Sequence, residues 1–204
     1  TTGDFNVGLG VNAATAITSG NNNTAIGAYA LQIGTTADET TALGMYALQA
    51  TTTGDYNTSV GYGSLYSNTT ASNNTAVGRY SLFANTTGSD NTATGVDSLI
   101  ANTTGATNAA FGINSLMTNT TGGSNTAIGP AALFSNTTAS YNVAVGRDSL
   151  KANTTGAYNS AVGFEALKAN TTANNNTAMG YQSLVANTTG TSNVAVGIYA
   201  LDAN

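Results

Sequence analysis

Asn-Thr-Thr is the most frequent tripeptide in the chain with a recognised chemistry. An asparagine followed by any residue except proline and then Ser or Thr is the acceptor pattern for N-linked glycans. Asn22, Asn57, Asn73 and Asn175 also satisfy the pattern. The same tripeptide is typical of turns, so a structural asparagine ladder with stacked threonines is the alternative interpretation. The glycosylation candidates that begin Asn-Thr-Thr are Asn68, Asn85, Asn102, Asn119, Asn136, Asn153, Asn170 and Asn187.

Two carboxylates, Asp148 and Glu165, have a spacing that suggests catalysis. If they occupy adjacent coils, they lie about 5 Å apart, the separation used by retaining glycosidases. Each is followed three residues later by a lysine, Lys151 or Lys168, which favours surface ion pairs instead. A glycan-processing enzyme is therefore the weakest functional hypothesis, and it would require hydrolysis that disappears on Asp148→Asn or Glu165→Gln.

Most other chemistry is excluded by composition. The chain has no Cys and no His, which removes the usual metal ligands, nucleophiles and general bases. We therefore expect no metal, no cofactor and no enzymatic activity. Nine acidic residues against four basic ones leave no basic surface for nucleic acid. No apolar run is long enough to span a bilayer, so we also expect no membrane insertion.

The elements that position these residues are set by an internal repeat. Residues 1–204 form a single tandem array of twelve 17-residue copies with no insertion or deletion. Numbered from Asn6, the repeat reads N-T-A-(I/V)-G-x-x-(S/A)-L-x-(A/S)-N-T-T-(G/A)-x-x. Thr1 and Asn204 both fall inside a repeat unit, so we expect this array to be a window from a longer filament.

Glycine occupies repeat position 5 in all twelve copies, which indicates a backbone requirement such as positive φ or close strand approach. Positions 1 to 5 are predicted to form a short strand that ends at this glycine. Alternation places positions 2 and 4 on one face, with position 4 directed inward, and the position 3 alanine on the other face. The structural glycines are Gly10, Gly27, Gly44, Gly61, Gly78, Gly95, Gly112, Gly129, Gly146, Gly163, Gly180 and Gly197.

Positions 6 to 11 contain helix-forming residues, as in the segment 147–152, and predict one helical turn. Pro130 at position 6 agrees with a helix start.

The leucine at position 9, absent only at Ala14, is predicted to be core. Threonine at position 13 of every copy predicts a ladder of hydrogen bonds between coils. All charges and all tyrosines fall at positions 6, 7, 10, 16 and 17, the predicted outer surface.

These features predict a β-solenoid, a parallel β-roll-like fibre in which each coil has a short strand and a one-turn helix. One copy buries too few side chains to offset the entropy of ordering its backbone, so stacked neighbours are required. At about 4.8 Å per coil the rod is roughly 55 to 60 Å long. The small alanine at position 3 suggests close packing by another chain, and we expect a homo-oligomer, most plausibly a trimer.

The strand motif also carries a resemblance. Asn125 to Gly129, N-T-A-I-G, followed by two variable residues and Ala or Ser, is similar to the coils of YadA-like trimeric autotransporter heads and to the N-T-A-I-G arrays of phage tail-fibre-like proteins. The resemblance implies a left-handed parallel β-roll, three chains per fibre and an extracellular, cell-surface or virion-surface location. It covers the whole chain, although the repeat is longer than the head coil.

Two functional hypotheses stand above the enzyme. The first is a structural extracellular filament that supplies length, rigidity and surface display. The second is the shaft of a receptor-binding adhesin or phage tail fibre, whose tip does the recognising. Two tyrosine pairs, Tyr29 with Tyr46 and Tyr141 with Tyr158, are predicted to stack along the surface, either as scattered exposed aromatics or as a contact for sugars or a partner subunit.

Overall fold

The computed structural model describes residues 2–202, so Thr1 and Asn204, which mark the ends of the repeat window, lie outside the described residues. Within that range the chain winds into a parallel β-solenoid in which each coil is one repeat of the sequence. The strands occupy repeat positions 2 to 4. They are β1 (Val7–Leu9), β2 (Thr24–Ile26), β3 (Thr41–Leu43), β4 (Thr58–Val60), β5 (Thr75–Val77), β6 (Thr92–Thr94), β7 (Ala109–Phe111), β8 (Thr126–Ile128), β9 (Val143–Val145), β10 (Ser160–Val162), β11 (Thr177–Met179) and β12 (Val194–Val196).

The strands form one parallel sheet in which each pairs with the next along the chain, from β1 to β12. The register advances by one repeat at each step, so that Ala93 pairs with Ala110 and Ala110 with Ala127. Equivalent residues therefore lie in columns along the rod axis. The predicted column of position 5 glycines is observed, because the Gly112 carbonyl lies directly beside Gly95 and the Gly129 carbonyl beside Gly112.

The predicted inward face of the strand was wrong. The position 3 residues, such as Ala93 and Ala110, are fully buried, whereas position 4 residues such as Val77 and Phe111 are exposed. Inside the coil these alanines belong to the same core cluster as the position 9 leucines, for example Leu99. The coil is narrow, and a large leucine on one wall leaves room only for a small residue on the other. The position 9 leucine is core, as predicted.

The predicted helical turn was also wrong, since residues 2–202 contain no helix. Positions 7 and 9 adopt positive φ, as in Tyr46 (62°) and Leu48 (49°), and an α-helix cannot include such residues. The backbone N–H groups of this segment instead bond to neighbouring coils: Leu48 N donates to Ser64 O at 3.1 Å, and Tyr46 N to Ala28 O at 3.0 Å. So short a segment could form very few helical hydrogen bonds, whereas stacking offers partners on both sides.

The threonine ladder at position 13 is confirmed. The hydroxyl of each threonine donates to the backbone carbonyl of its counterpart in the next coil, as from Thr103 to Thr120 at 3.0 Å and from Thr120 to Thr137 at 3.1 Å. Each backbone N–H at this position donates to the same carbonyl, with 2.9 Å between Thr103 N and Thr120 O. The turn is thereby fastened to the coil above it by two bonds.

Candidate functional site

The Asn-Thr-Thr asparagines form a ladder inside the coil. Asn102 Nδ2 donates to Asn85 Oδ1 at 2.8 Å and to Gly105 O at 2.9 Å, and its own Oδ1 accepts from Asn119 Nδ2 at 2.8 Å. The same pattern links Asn85 to Asn68 and continues to Asn187. The ladder proposed as the alternative interpretation is therefore present. Its side chains are buried and both amide hydrogens are used, because an unpaired amide would be costly inside the coil.

A second asparagine ladder, which sequence reasoning missed, lies at position 1. Asn108 N donates to Asn91 Oδ1 at 3.0 Å, and Asn91 Nδ2 donates to Gly105 O at 2.9 Å. The Gly105 carbonyl therefore accepts from both ladders, since Asn102 also donates to it. The regular asparagine at position 1 of the repeat was the available signal. Within each coil, the two ladders therefore connect positions 1 and 12 to the backbone carbonyl at position 15.

Burial of an acceptor asparagine limits when a glycan can be attached to it. A glycan on a position 12 asparagine such as Asn119 would have to be added before the coil folds, because the folded amide is buried. Three further acceptor asparagines, Asn22, Asn73 and Asn175, lie at position 17 and are exposed, whereas Asn57 is buried. Glycosylation of the eight Asn-Thr-Thr sites stays a prediction, and the exposed three are the sites that remain reachable after folding.

The acidic pair forms the two predicted ion pairs even though the predicted helix is absent. Lys151 Nζ lies 2.8 Å from Asp148 Oδ1, and Lys168 Nζ lies 2.6 Å from Glu165 Oε1. Hydrogen bonds from Lys168 and from Gln182 hold the pKa of Glu165 below its ordinary value. A general acid needs a raised pKa, so the shift at Glu165 is opposite to the one that a glycosidase acid requires.

Among residues 2–202, no group of three or more acidic side chains is arranged to hold a metal ion. Over the same range no helix has the length and apolar character needed to cross a membrane.

The strand face formed by positions 2 and 4, which we call the sheet face, is uncharged over its whole length, and its side chains are half-buried or exposed. Its position 4 side chains include Leu43, Phe111, Ile128 and Met179, which are 40–50% exposed. Because the strands pair in register, the position 4 side chains form a row along the rod that is apolar except at Thr94. The neighbouring position 2 row is threonine or serine in eight of the twelve copies. Large exposed apolar patches are typical of contact surfaces.

Both predicted tyrosine pairs stack. The rings of Tyr29 and Tyr46 are 5.2 Å apart at 15°, and those of Tyr141 and Tyr158 are 5.1 Å apart at 4°. These distances follow from the coil spacing, since identical residues at one repeat position lie directly above each other. The sequence analysis correctly predicted their geometry, and their role stays a prediction.

A larger aromatic group surrounds Gly63, which interrupts the tyrosines at position 7. The absence of a side chain there opens a cavity of about 560 Å³, which we call the aromatic cleft; Gly63 lines it together with the rings of Tyr46, Tyr62, Tyr66, Tyr80 and Phe83. Tyr66 and Phe83 stack at 5.0 Å and 13°, while Tyr62 and Tyr80 meet edge to face at 5.3 Å. The sequence signal for this cleft was a single glycine within a tyrosine column.

The cleft also holds an unsatisfied amide. Gln49 lines the cavity, and its Nε2 donates to Gln32 Oε1 at 2.8 Å. Its Oε1 atom is buried and has no hydrogen-bond partner. A buried acceptor without a donor costs free energy, so this atom is suited to a donor supplied by a ligand.

Comparison with known proteins does not assign the chain to a family. No protein-family model matches the chain, and no curated protein or solved structure matches it. The resemblance to YadA-like heads and phage tail-fibre-like arrays therefore stays a prediction drawn from the repeat motif.

Proposed function

We propose that this chain is a segment of an extracellular structural fibre, built to supply length, rigidity and surface display, and that it associates side by side with copies of itself. The observation that carries the proposal is the sheet face: an uncharged, solvent-facing surface that runs the length of a regular rod, with an apolar row at position 4 beside a mainly threonine row at position 2. The three interior ladders support the rigidity of that rod, because every coil is fastened to its neighbours by side-chain as well as backbone hydrogen bonds.

The sheet face is large enough for a specific contact at the small end of the known range. Eleven coil intervals of about 4.8 Å, multiplied by about 10 Å for the three strand residues at positions 2 to 4, give roughly 500 Å² per chain, or about 1,000 Å² for two partners. About 1,000 Å² in total is the lower bound for a biological interface. No Asp, Glu, Lys or Arg occurs at position 2 or 4 of any copy, so no charge opposes contact there.

A second copy of this chain is the occupant that the periodicity favours. The side chains of the apolar row repeat once per coil, and only a partner with the same axial repeat can offer an equivalent contact at each coil. Another copy has that repeat by construction. A trimer, which the resemblance implies, is the first arrangement to test, with chains packed through positions 2 and 4 and not through the buried alanine at position 3.

The test is the mass of the chain in solution. Ile128→Glu places a charge on the sheet face, and Thr121→Glu places the same charge at an exposed position 14 site away from it. We expect multi-angle light scattering to give an integer multiple of the monomer mass for the unmodified chain and for Thr121→Glu, and a shift toward the monomer for Ile128→Glu. A strictly monomeric unmodified chain at about 100 µM would contradict the self-association.

The shaft of an adhesin or of a phage tail fibre is the second candidate, and the rod geometry supports it equally. The two differ in what does the recognising, so the test is to image the natural fibre by electron microscopy and label the repeat segment with an antibody. A distinct tip beyond the labelled rod supports the shaft. Continuous labelling to the end of the fibre supports a pure filament. In a separate experiment, antibody labelling of unpermeabilised cells or of virions tests the extracellular location.

A further inference from the structure

We propose that the aromatic cleft binds the pyranose rings of a neutral carbohydrate, with Gln49 as the acceptor for a sugar hydroxyl. The cleft lies at repeat positions 6, 7 and 10, whereas the proposed self-association uses positions 2 and 4. The carbohydrate site therefore does not depend on the proposed fibre function, and either one can fail without the other.

The rings supply a surface that matches the apolar face of a sugar. The π-face of an aromatic ring is electron-rich and attracts weakly polarised C–H bonds, which a pyranose presents on its flat faces. Stacked Tyr66 and Phe83 form one flat platform, and Tyr80 meets Phe83 edge to face at 5.2 Å. Tyrosine offers large contact area at small entropic cost together with a hydroxyl for the polar edge of the ligand.

Gln49 is the polar observation that is independent of the aromatic rings. Its Oε1 is buried without a donor, while its Nε2 is already bound to Gln32. The unsatisfied atom is an acceptor, so a ligand that brings an O–H or N–H group satisfies it once the side chains that cover the atom shift. Ligand pockets of mainly apolar lining with a few polar groups bind in this way, and a pyranose combines an apolar face with hydroxyl donors at its edge.

The electrostatics favour a neutral ligand. No charged side chain lines the cleft. The neighbouring cation, Arg79, lies 5.2 Å from the Tyr80 ring centroid and 3.4 Å from Asp97 Oδ2, so it is already paired. The hydrogen-bonding neighbour Tyr80 raises the pKa of the Tyr62 hydroxyl, and an unperturbed tyrosine is already neutral at pH 7, so Tyr62 brings no charge to the cleft. An acidic polysaccharide would find no free cation here.

The shape of the cleft favours a small ring over a second copy of the chain. Gly63 is the only glycine at position 7, so the cavity is centred on its coil, and its lining extends over two coils on either side, from Tyr29 to Ile100. A copy of this chain repeats its contacts at every coil and has no matching single projection at that spacing. A pyranose, or two or three linked ones, fits the finite cavity.

Gly63→Tyr tests the site because it disrupts the cleft without forcing a new backbone conformation: an added Cβ would lie 2.9 Å from Tyr80 Cδ1, so the Tyr80 ring moves from its place in the cleft. Gly63 has φ 62°, and Tyr46 and Tyr80 already adopt φ 62° and 55° at the same repeat position. Asn114→Tyr is the matched control, since Asn114 has φ 58° at position 7, three coils from Gly63 and outside the residues that line the cleft. Circular dichroism and light scattering establish that both variants keep the fold and the oligomeric state.

Isothermal titration calorimetry with cellohexaose, a neutral sugar whose rings present C–H bonds on both faces, gives the readout. We expect the unmodified chain and Asn114→Tyr to bind alike and Gly63→Tyr to bind at least tenfold more weakly. Gln49→Leu keeps the rings and removes the acceptor, and we expect it to bind about five- to tenfold more weakly.

Three results would overturn the proposal. They are no binding of cellohexaose at about 10 mM, equal binding by Gly63→Tyr and the unmodified chain, or a lower oligomeric mass for Gly63→Tyr, which would assign the cleft to a second copy. Equal binding would place the sugar on another surface, such as the Tyr141 and Tyr158 pair. The two binding results do not bear on the sheet face, whose test is Ile128→Glu.

Discussion

Alanine substitution at two glycines separates the two reasons a coil could require glycine. Gly95 at position 5 has φ 138°, and an added Cβ there would lie 2.5 Å from the Gly112 carbonyl oxygen. Gly105 at position 15 would bring a Cβ equally close, 2.4 Å from the Gly122 oxygen, but its φ is not positive. The two sites therefore share the steric problem and differ in backbone conformation.

The fold tolerates alanine at position 15, because alanine occurs there in several coils. Ala71, Ala139 and Ala173 are buried there at 2%, 4% and 2% exposure, so a small shift of the neighbouring coil accommodates the Cβ. No copy has anything but glycine at position 5. The positive φ, and not the space, is the property that alanine cannot satisfy. A strained backbone residue costs about 1–3 kcal/mol, and the close contact adds to it.

We expect Gly95→Ala to lower the free energy of unfolding by about 3 kcal/mol or more, and Gly105→Ala by less than about 1 kcal/mol. Repeat arrays can unfold coil by coil, so urea unfolding is measured together with amide hydrogen exchange. Loss of protection in Gly95→Ala should be greatest at strands β6 and β7. Equal destabilisation by the two variants would refute the argument, since it would mean that contact distance, and not φ, sets the glycine column.

Four further predictions test the interior, the turns, the charges and the acceptor sites. Asn119→Ala should lower the free energy of unfolding by about 2–6 kcal/mol, because it leaves an acceptor on one neighbouring coil and a donor on the other unpaired. Urea unfolding measures this loss, and the control Thr121→Ala should change stability by less than about 0.5 kcal/mol. Thr107→Gly should stabilise the fold by about 1 kcal/mol, because a β-branched residue is strained at φ 57°; Thr107→Ala retains the Cβ, and an equal gain from it would contradict this explanation. The lowered pKa of Glu165 means that its contribution to stability is present above its unfolded-state value, about 4.3, and is lost as pH falls through the lower folded-state pKa. The stability of Glu165→Gln should therefore approach that of the unmodified chain as the pH falls below about 4.3, and parallel pH profiles would refute the assignment. If the chain is expressed in a host that modifies Asn-X-Thr, peptide mass spectrometry should find glycan at exposed Asn73 and not at buried Asn119, and the reverse pattern would show that modification precedes folding.

The repeat itself made several structural features predictable. A fixed period without insertions requires equivalent residues to occupy equivalent places, so the β-solenoid, the glycine column, the leucine core and the threonine ladder follow from the alignment of the copies. The stacked tyrosines follow for the same reason. Each of these features depends on which residue recurs, and recurrence is visible in a single sequence.

The features that were wrong or missed depend on contacts between coils. Helix propensity at positions 6 to 11 is a local preference, and hydrogen bonds to adjacent coils override it by placing Tyr46 and Leu48 at positive φ. Alternation in the strand showed that two faces differ but not which is inside. The width of the coil, set by leucine packed against alanine, decided that.

The candidate site shows the same division. The sequence by itself determined that Gly63 breaks a tyrosine column and that the strand positions carry no charge. Only the tertiary structure decided that five rings close around that glycine, that Gln49 Oε1 is left without a donor, and that positions 2 and 4 face outward. The physical reason is that a repeat fixes the axial position of each residue, whereas burial and ring orientation depend on how tightly each coil closes around its core.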